Sequence, residues 1–201
     1  MLDSALLLPA AIAAALAYLA GSLSTAIIVC SVMGLPDPRT AGSMNPGATN
    51  VLRVGGRLPA ALTLLGDALK GFLPVVLASL ALAHPPSVAL VGLAAFLGHL
   101  YPVFFEFRGG KGVATALGVL LGVSATVGAL ALVVWLAVSL AFRRSSLAAL
   151  VAFALVPAFL LFEGLRVHAV LFVIVTGFLL YTHRGNIARL VAGTEPLIGK
   201  R

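Results

Sequence analysis

The sequence predicts an all-α, polytopic membrane protein: seven transmembrane helices in one integral membrane domain over residues 1–201, N-terminus outside, C-terminus cytoplasmic. Three observations carry that prediction. Hydrophobic residues make up 61% of the chain and charged residues 9%, whereas soluble domains carry about 25% charged residues. Mean hydropathy is +1.15, and the apolar residues fall into runs of roughly 20, the length that crosses a bilayer as a helix. The cations gather between those runs, as orientation by the positive-inside rule requires.

The first span falls near 5–31. Met1-Leu2-Asp3-Ser4 offers no Lys or Arg before it, so it reads as a retained helix rather than a cleaved signal peptide. It contains Cys30, the only cysteine, which excludes an intrachain disulfide and reads as a small buried hydrophobe. Further spans fall near 57–82, 87–105, 147–162 and 165–182. The uncharged stretch 112–142 admits either one long helix or two short ones.

Charge parity decides. Of 13 Lys and Arg, Arg39, Arg53 and Arg57 follow the first span, and Arg108 and Lys111 follow the third. Arg143 and Arg144 precede 147–162, and Arg184, Arg189, Lys200 and Arg201 form the tail. Placing all of these on the cytoplasmic side requires 112–142 to cross an even number of times. Two short or tilted helices follow, near 112–123 and 125–142. The first is short enough to be a half-helix lining a cavity. The net charge of +7 is then an orientation signal and not a nucleic-acid footprint. The opposite face keeps only short turns, so chemistry belongs to the cytoplasmic side.

Four polar clusters meet on that side. The first runs from Gly42 to Arg53: Ser43, Asn45, Thr49 and Asn50 supply hydroxyls and amides, Gly47 a pliable backbone, Arg53 a bidentate cation. A plain connecting loop rarely needs two Asn and two Gly around a Pro. The second, Arg108-Gly109-Gly110-Lys111-Gly112, opens a helix, where free N–H groups favour phosphate. Gly112 stands where a Walker motif needs Ser or Thr, so nucleotide hydrolysis is not expected. The third is Arg143-Arg144-Ser145-Ser146, whose hydroxyls can cap a helix or touch a ligand. The fourth, His183 to Asn186, places two polar side chains three residues apart, sharing a face if the helix continues. A phosphorylated ligand at the membrane surface is the expectation.

Within the second span, Asp67 and Lys70 lie three residues apart and can neutralise each other. They read as a structural pair, and His99 likewise reads as structural. A His-x4-Asp dyad, a Cys/His metal cluster and a Gly-x-Ser-x-Gly elbow are all missing, so no metal site and no cofactor are expected.

Taken together, Gly42–Arg53, Leu65–Gly71, Gly98–Thr115, Arg143–Ser146 and His183–Glu195 resemble the bacterial acyl-phosphate:glycerol-3-phosphate acyltransferases, integral membrane enzymes that begin phospholipid synthesis. The resemblance runs end to end. It implies seven helices with the N-terminus outside, in the bacterial inner membrane, with the active site facing the cytoplasm. It also implies acyl transfer from acyl phosphate to the 1-hydroxyl of glycerol 3-phosphate, giving lysophosphatidic acid and phosphate, without direct use of coenzyme A or acyl carrier protein.

By motif, Ser43, Arg53, Lys111, His183 and Asn186 are the implied catalytic residues. Asn45, Gly47, Thr49, Asn50, Gly109, Gly110, Ser145 and Ser146, with Arg53 and Lys111, are the implied binding residues. Met44 stands where the family's first loop usually has Gly. The hydroxyl proton goes either to His183 or, as we favour, to the phosphate of the acyl phosphate. The rival reading is a small transporter of an anionic metabolite. It fits less well, because no internal repeat is visible and both loops face one side.

Overall fold

The computed structural model describes residues 4–198. Met1–Asp3, read above as lacking a basic region, and the tail cations Lys200 and Arg201 lie outside the described residues. Among the described residues all regular secondary structure is helical. The first apolar run is one span-length stretch, Ala5–Val32, as read from the sequence, built of two helices, α1 (Ser4–Gly21) and α2 (Thr25–Val32). The chain breaks at Ser22–Ser24, just after Gly21 seats on the backbone of Ala95. Lys70 Nζ then donates to the freed Leu23 carbonyl at 2.8 Å. Such a substitute partner is what lets a helix break at membrane depth.

The Gly42–Arg53 segment is not wholly loop: it ends in a short amphipathic helix, α3 (Ala48–Gly55). Next come α4 (Arg57–Leu82) and α5 (Pro85–Leu100). The latter stops at Tyr101 because Pro102 follows, and residues before proline avoid the α region; a 3-10 turn (Val103–Phe105) carries the apolar stretch on to residue 105, where the span read from the sequence ends. The 112–142 stretch does divide, into α6 (Val113–Val123) and α7 (Ala125–Phe142), with the Ser124 hydroxyl capping α7 by accepting from Val127 N at 3.2 Å. Last come α8 (Ser145–Phe162), α9 (Arg166–Thr182) and α10 (Arg184–Val191); the last pair bends by 64° at His183.

Five helical stretches are long and apolar enough to cross a bilayer, six if the bent pair counts as one. The eleven residues of α6 extend only about 16 Å, half of a hydrocarbon core of about 30 Å. Leu73, Leu77 and Leu80 of α4 and Val133, Leu136 and Leu140 of α7 point outward, exposed. In water such a surface would aggregate; in lipid it is the expected exterior.

Small residues bring the helices together. Gly118 of α6 rests on the Ala68 carbonyl of α4, and Gly71 of α4 on the Thr115 carbonyl. Gly21 and Gly98 do the same between α1 and α5. Where lipid removes the hydrophobic drive, such backbone contact is the main source of helix adhesion. Phe96, Phe172, Leu120 and Leu160 fill the centre.

Candidate active site

A cavity of about 1070 Å³ opens where the first loop, the Lys111 loop, the start of α8 and the α9–α10 bend converge. Ser43, Asn45, Gly47, Thr49, Asn50, Arg53, Lys111, Ser145, Ser146, His183 and Asn186 all line it. Eleven of the thirteen residues singled out in the sequence therefore meet. The exceptions are Gly109 and Gly110, which line a smaller pocket of about 310 Å³ bordered by the same Lys111. Their glycine character has a packing cause: Gly109 lies on the His99 and Leu100 carbonyls, and Gly110 on the His99 ring. The Gly110 amide donates to the His99 carbonyl at 3.2 Å and is therefore not free for an anion.

The first loop is organised by Asn50. Its Oδ1 accepts from Ser43 N at 2.8 Å, and its Nδ2 donates to the carbonyls of Pro38 and Ala41 at 2.9 Å each. Three of its four hydrogen-bonding positions are thus engaged inside the loop. Arg53 one turn later is half-buried and makes no hydrogen bond or ion pair among the described residues. Its guanidinium is available to a ligand. Met44 adopts φ +56°, a conformation that strains any residue but glycine, and its side chain is exposed. Thr49 Oγ1 sits 3.3 Å from Ser145 Oγ, joining the loop to α8. Ser145 and Ser146 occupy the first turn of α8, whose cap residue is Arg144, so neither serves as the cap.

Facing Arg53 is a chain of charged and amide groups. Lys111 Nζ donates to Asn186 Oδ1 at 2.5 Å, and Asn186 Nδ2 donates to Glu195 Oε1 at 2.6 Å. Ser146 Oγ donates to the same carboxylate oxygen at 2.6 Å, and Arg189 Nε donates to Oε2 at 2.8 Å. Burial opposes the Glu195 charge, yet the bonds from Ser146, Asn186 and Arg189 hold its carboxyl below the ordinary range. Burial, with Arg189 and Arg53 nearby, brings the Lys111 ammonium down to about 8 despite Glu195. His183, just past the end of α9, presents Nδ1 to the Leu179 carbonyl at 2.8 Å, so Nδ1 carries the proton and Nε2 the lone pair. Burial and Lys111 bring its pKa down to about 4.

Glu195 and Arg189 escaped the sequence reading. Glu195 sits in a tail that folds back, its amide and that of Thr194 both on the Arg189 carbonyl, with Ile198 N donating to Arg143 O at 2.7 Å. The available signal was rarity: it is one of only six acidic residues. Asp67 and His99, read as structural, also line the cavity. Deeper down the walls turn apolar, with Leu64 and Leu65 on α4, Leu132 and Trp135 on α7 and Phe153 on α8.

The sequence profile described as Glycerol-3-phosphate acyltransferase matches residues 11–193. The chain belongs to the glycerol-3-phosphate acyltransferase family. It is 54% identical over 186 residues to the glycerol-3-phosphate acyltransferase of Methylococcus capsulatus, covering 92% of this chain and 94% of that one. The enzyme of Thioalkalivibrio sulfidiphilus is likewise 54% identical over 186 residues, 92% of each chain.

The crystal structure of PlsY (YgiH), an integral membrane glycerol 3-phosphate acyltransferase, in its glycerol 3-phosphate form superposes with TM-score 0.91 at 39% identity, covering 95% of this chain and 96% of that one. Its lysophosphatidic acid form gives 0.90 at 38% identity, with the same coverage. This acyltransferase family member is therefore a multi-pass integral membrane protein with the PlsY fold.

Proposed function

We propose that this chain transfers a fatty acyl group from acyl phosphate to the 1-hydroxyl of glycerol 3-phosphate, releasing lysophosphatidic acid and inorganic phosphate. The observation that carries the reading is the two-part cavity. Arg53, Lys111 and the hydroxyls stand at one end, with leucine, tryptophan and phenylalanine walls below. That division suits a phosphate head on an alkyl tail. The PlsY crystal forms carry the acceptor and the lipid product of this same reaction in their descriptions.

Both substrates are phosphate anions, so their mutual repulsion must be overcome before any acyl group moves. Arg53 takes one phosphate as a bidentate donor. Lys111, held by Asn186, neutralises the second, and Ser43, Asn45, Thr49, Ser145 and Ser146 supply neutral donors. Gly47 allows the first loop close approach, and Asn50, Gly109 and Gly110 hold the two loops in place. The glycerol 1-hydroxyl oxygen then attacks the acyl carbonyl carbon. The bond from that carbon to the phosphate oxygen breaks, and the departing phosphate takes the hydroxyl proton.

An acyl phosphate is already activated, so the protein contributes chiefly positioning and charge neutralisation. His183 Nε2 accepts a hydrogen bond and orients the hydroxyl. With a pKa of about 4 it is too weak a base to hold the proton. Accordingly, His183→Gln keeps turnover within about tenfold of wild type. A loss beyond about a hundredfold with unchanged KM would make His183 the base instead.

The reading includes seven crossings in one domain, with α6 counted as a short one, N-terminus outside, in a bacterial inner membrane with the site facing the cytoplasm. Phosphate release by purified protein in detergent, given palmitoyl phosphate and glycerol 3-phosphate, tests the chemistry: release must require both substrates. For orientation, Cys30 is fully buried and leaves a quiet background. Arg143→Cys must then resist impermeant maleimide in intact cells and react in inverted vesicles.

A further inference from the structure

The proposed reaction leaves one buried charged cluster unused. Asp67, Lys70 and His99 are all buried, and Asp67 and His99 form part of the cavity wall. Lys70 Nζ lies 2.8 Å from Asp67 Oδ1 and also holds the Leu23 carbonyl at the α1–α2 break. His99 Nδ1 stands 3.6 Å from the same carboxylate oxygen, within ion-pair reach but beyond a hydrogen bond. His99 in turn meets the Lys111 loop twice. Its carbonyl accepts from Gly110 N at 3.2 Å, and its ring packs so tightly on Gly110 that a Cβ there would overlap Nε2.

Stability alone is a weak account of such a cluster. Ionisable groups inside a span are costly, and apolar replacements of a buried ion pair are often neutral or better. What the cluster does achieve is mechanical. It joins the broken first span, α4 and the end of α5 to the glycines that immediately precede Lys111.

We propose that Asp67 and His99 are positioning residues for Lys111, with the Asp67 carboxylate fixing the His99 ring and the ring fixing Gly110, so that the ammonium one residue later faces the cavity. The proposal rests on the reading of Lys111 as a phosphate-binding group.

The test is a bump-and-hole cycle at the His99–Gly110 contact, with His99→Phe as the volume-preserving companion. His99→Phe, Gly110→Ala and the double variant Gly110→Ala/His99→Ala are assayed for kcat and KM with each substrate, alongside gel-filtration profile and melting temperature. Folded His99→Phe and Gly110→Ala should each lose at least about tenfold in kcat/KM for glycerol 3-phosphate. The double variant should regain at least about threefold over Gly110→Ala, the non-additivity of groups in contact.

Folded His99→Phe within about twofold of wild type, or His99 and Gly110 effects that simply add, overturns the assignment. Should these variants aggregate, His99→Gln and its melting curve give the same decision. Lys111→Met separates the two layers. If it remains active, the role of Lys111 fails; if it is dead while His99→Phe is unimpaired, only the positioning role fails.

Discussion

Removing one charge at Glu195 should unfasten the site from the side opposite Arg53. In Glu195→Gln an amide oxygen still accepts from Ser146 and Asn186, both now at 2.6 Å. The amide nitrogen, however, turns its hydrogens toward Arg189 Nε, itself a donor at 2.8 Å. One charge-assisted bond is lost, and two become neutral bonds of about half the strength. Arg189 is partly solvated and recovers some of this from water, leaving a destabilisation of about 2–3 kcal/mol. For a chain of this size that is a fall in melting temperature of about 4–12 °C.

The pH dependence has a definite sign. The folded carboxyl lies below its ordinary value of 4.5, so its stabilisation is present above that value. It is lost as pH falls through the lower folded one. Wild type should therefore lose melting temperature as pH drops below about 4.5, and Glu195→Gln should lack that part of the slope. Trp135 is the single tryptophan and lines the cavity, so its fluorescence follows melting in detergent directly. With Asn186 held by a neutral bond in place of a charge-assisted one, Lys111 is less firmly placed, and kcat/KM should fall at least about tenfold. A melting point within about 2 °C of wild type together with an unchanged acid slope would refute the account.

Three other outcomes follow from the geometry. Lys111 loses its proton as pH rises through about 8, so kcat/KM for glycerol 3-phosphate should fall about tenfold per unit above that, and Lys111→Arg should move this alkaline limb out of range. Met44→Gly removes left-handed strain of about 1–2 kcal/mol and adds chain entropy worth about 0.5–1 kcal/mol; it should raise the melting point by a few degrees, and a fall would show that the Met44 side chain is needed. Gly118→Val drives two methyl groups into the Ala68 carbonyl and should leave no monodisperse protein; normal yield would mean that α4 and α6 separate easily.

Much of this architecture was legible because bilayer physics writes itself into composition. The split of 112–142 followed from charge parity alone, and α6 and α7 divide at Ser124. Asp67 and Lys70 were paired from their spacing and are 2.8 Å apart. What stayed hidden depends on chain direction after a bend. The 64° turn at His183 sends α10 across the end of the bundle, and neither the turn nor the return of Glu195 leaves a periodic trace. The break at Ser22–Ser24 was equally hidden, lying inside one apolar run of spanning length. Nor could the sequence show that Gly109 and Gly110 also pack against the end of α5. Glycine for close packing and glycine for ligand approach are the same letter.

The short α6 links the fold to lipid chemistry. A full-length helix in its place would fill the space between α4 and α7. Eleven residues, drawn against α4 through Gly71 and Gly118, leave it open. Leu64 and Leu65 on α4 and Leu132 on α7 line the cavity and are exposed. Read as a lateral opening, this exposed leucine wall joins the bilayer to the cavity end that holds Arg53, Lys111 and the α9–α10 bend. A carrier for a small soluble anion has no use for a side open to hydrocarbon, whereas an enzyme that joins a water-soluble phosphate to an acyl chain needs both phases at one carbon atom. If that geometry serves the reaction, Leu65→Arg, which puts a charge into the opening, should raise KM for palmitoyl phosphate at least about tenfold and leave KM for glycerol 3-phosphate unchanged. An equal rise for both substrates would mean that the opening plays no part in admitting the tail.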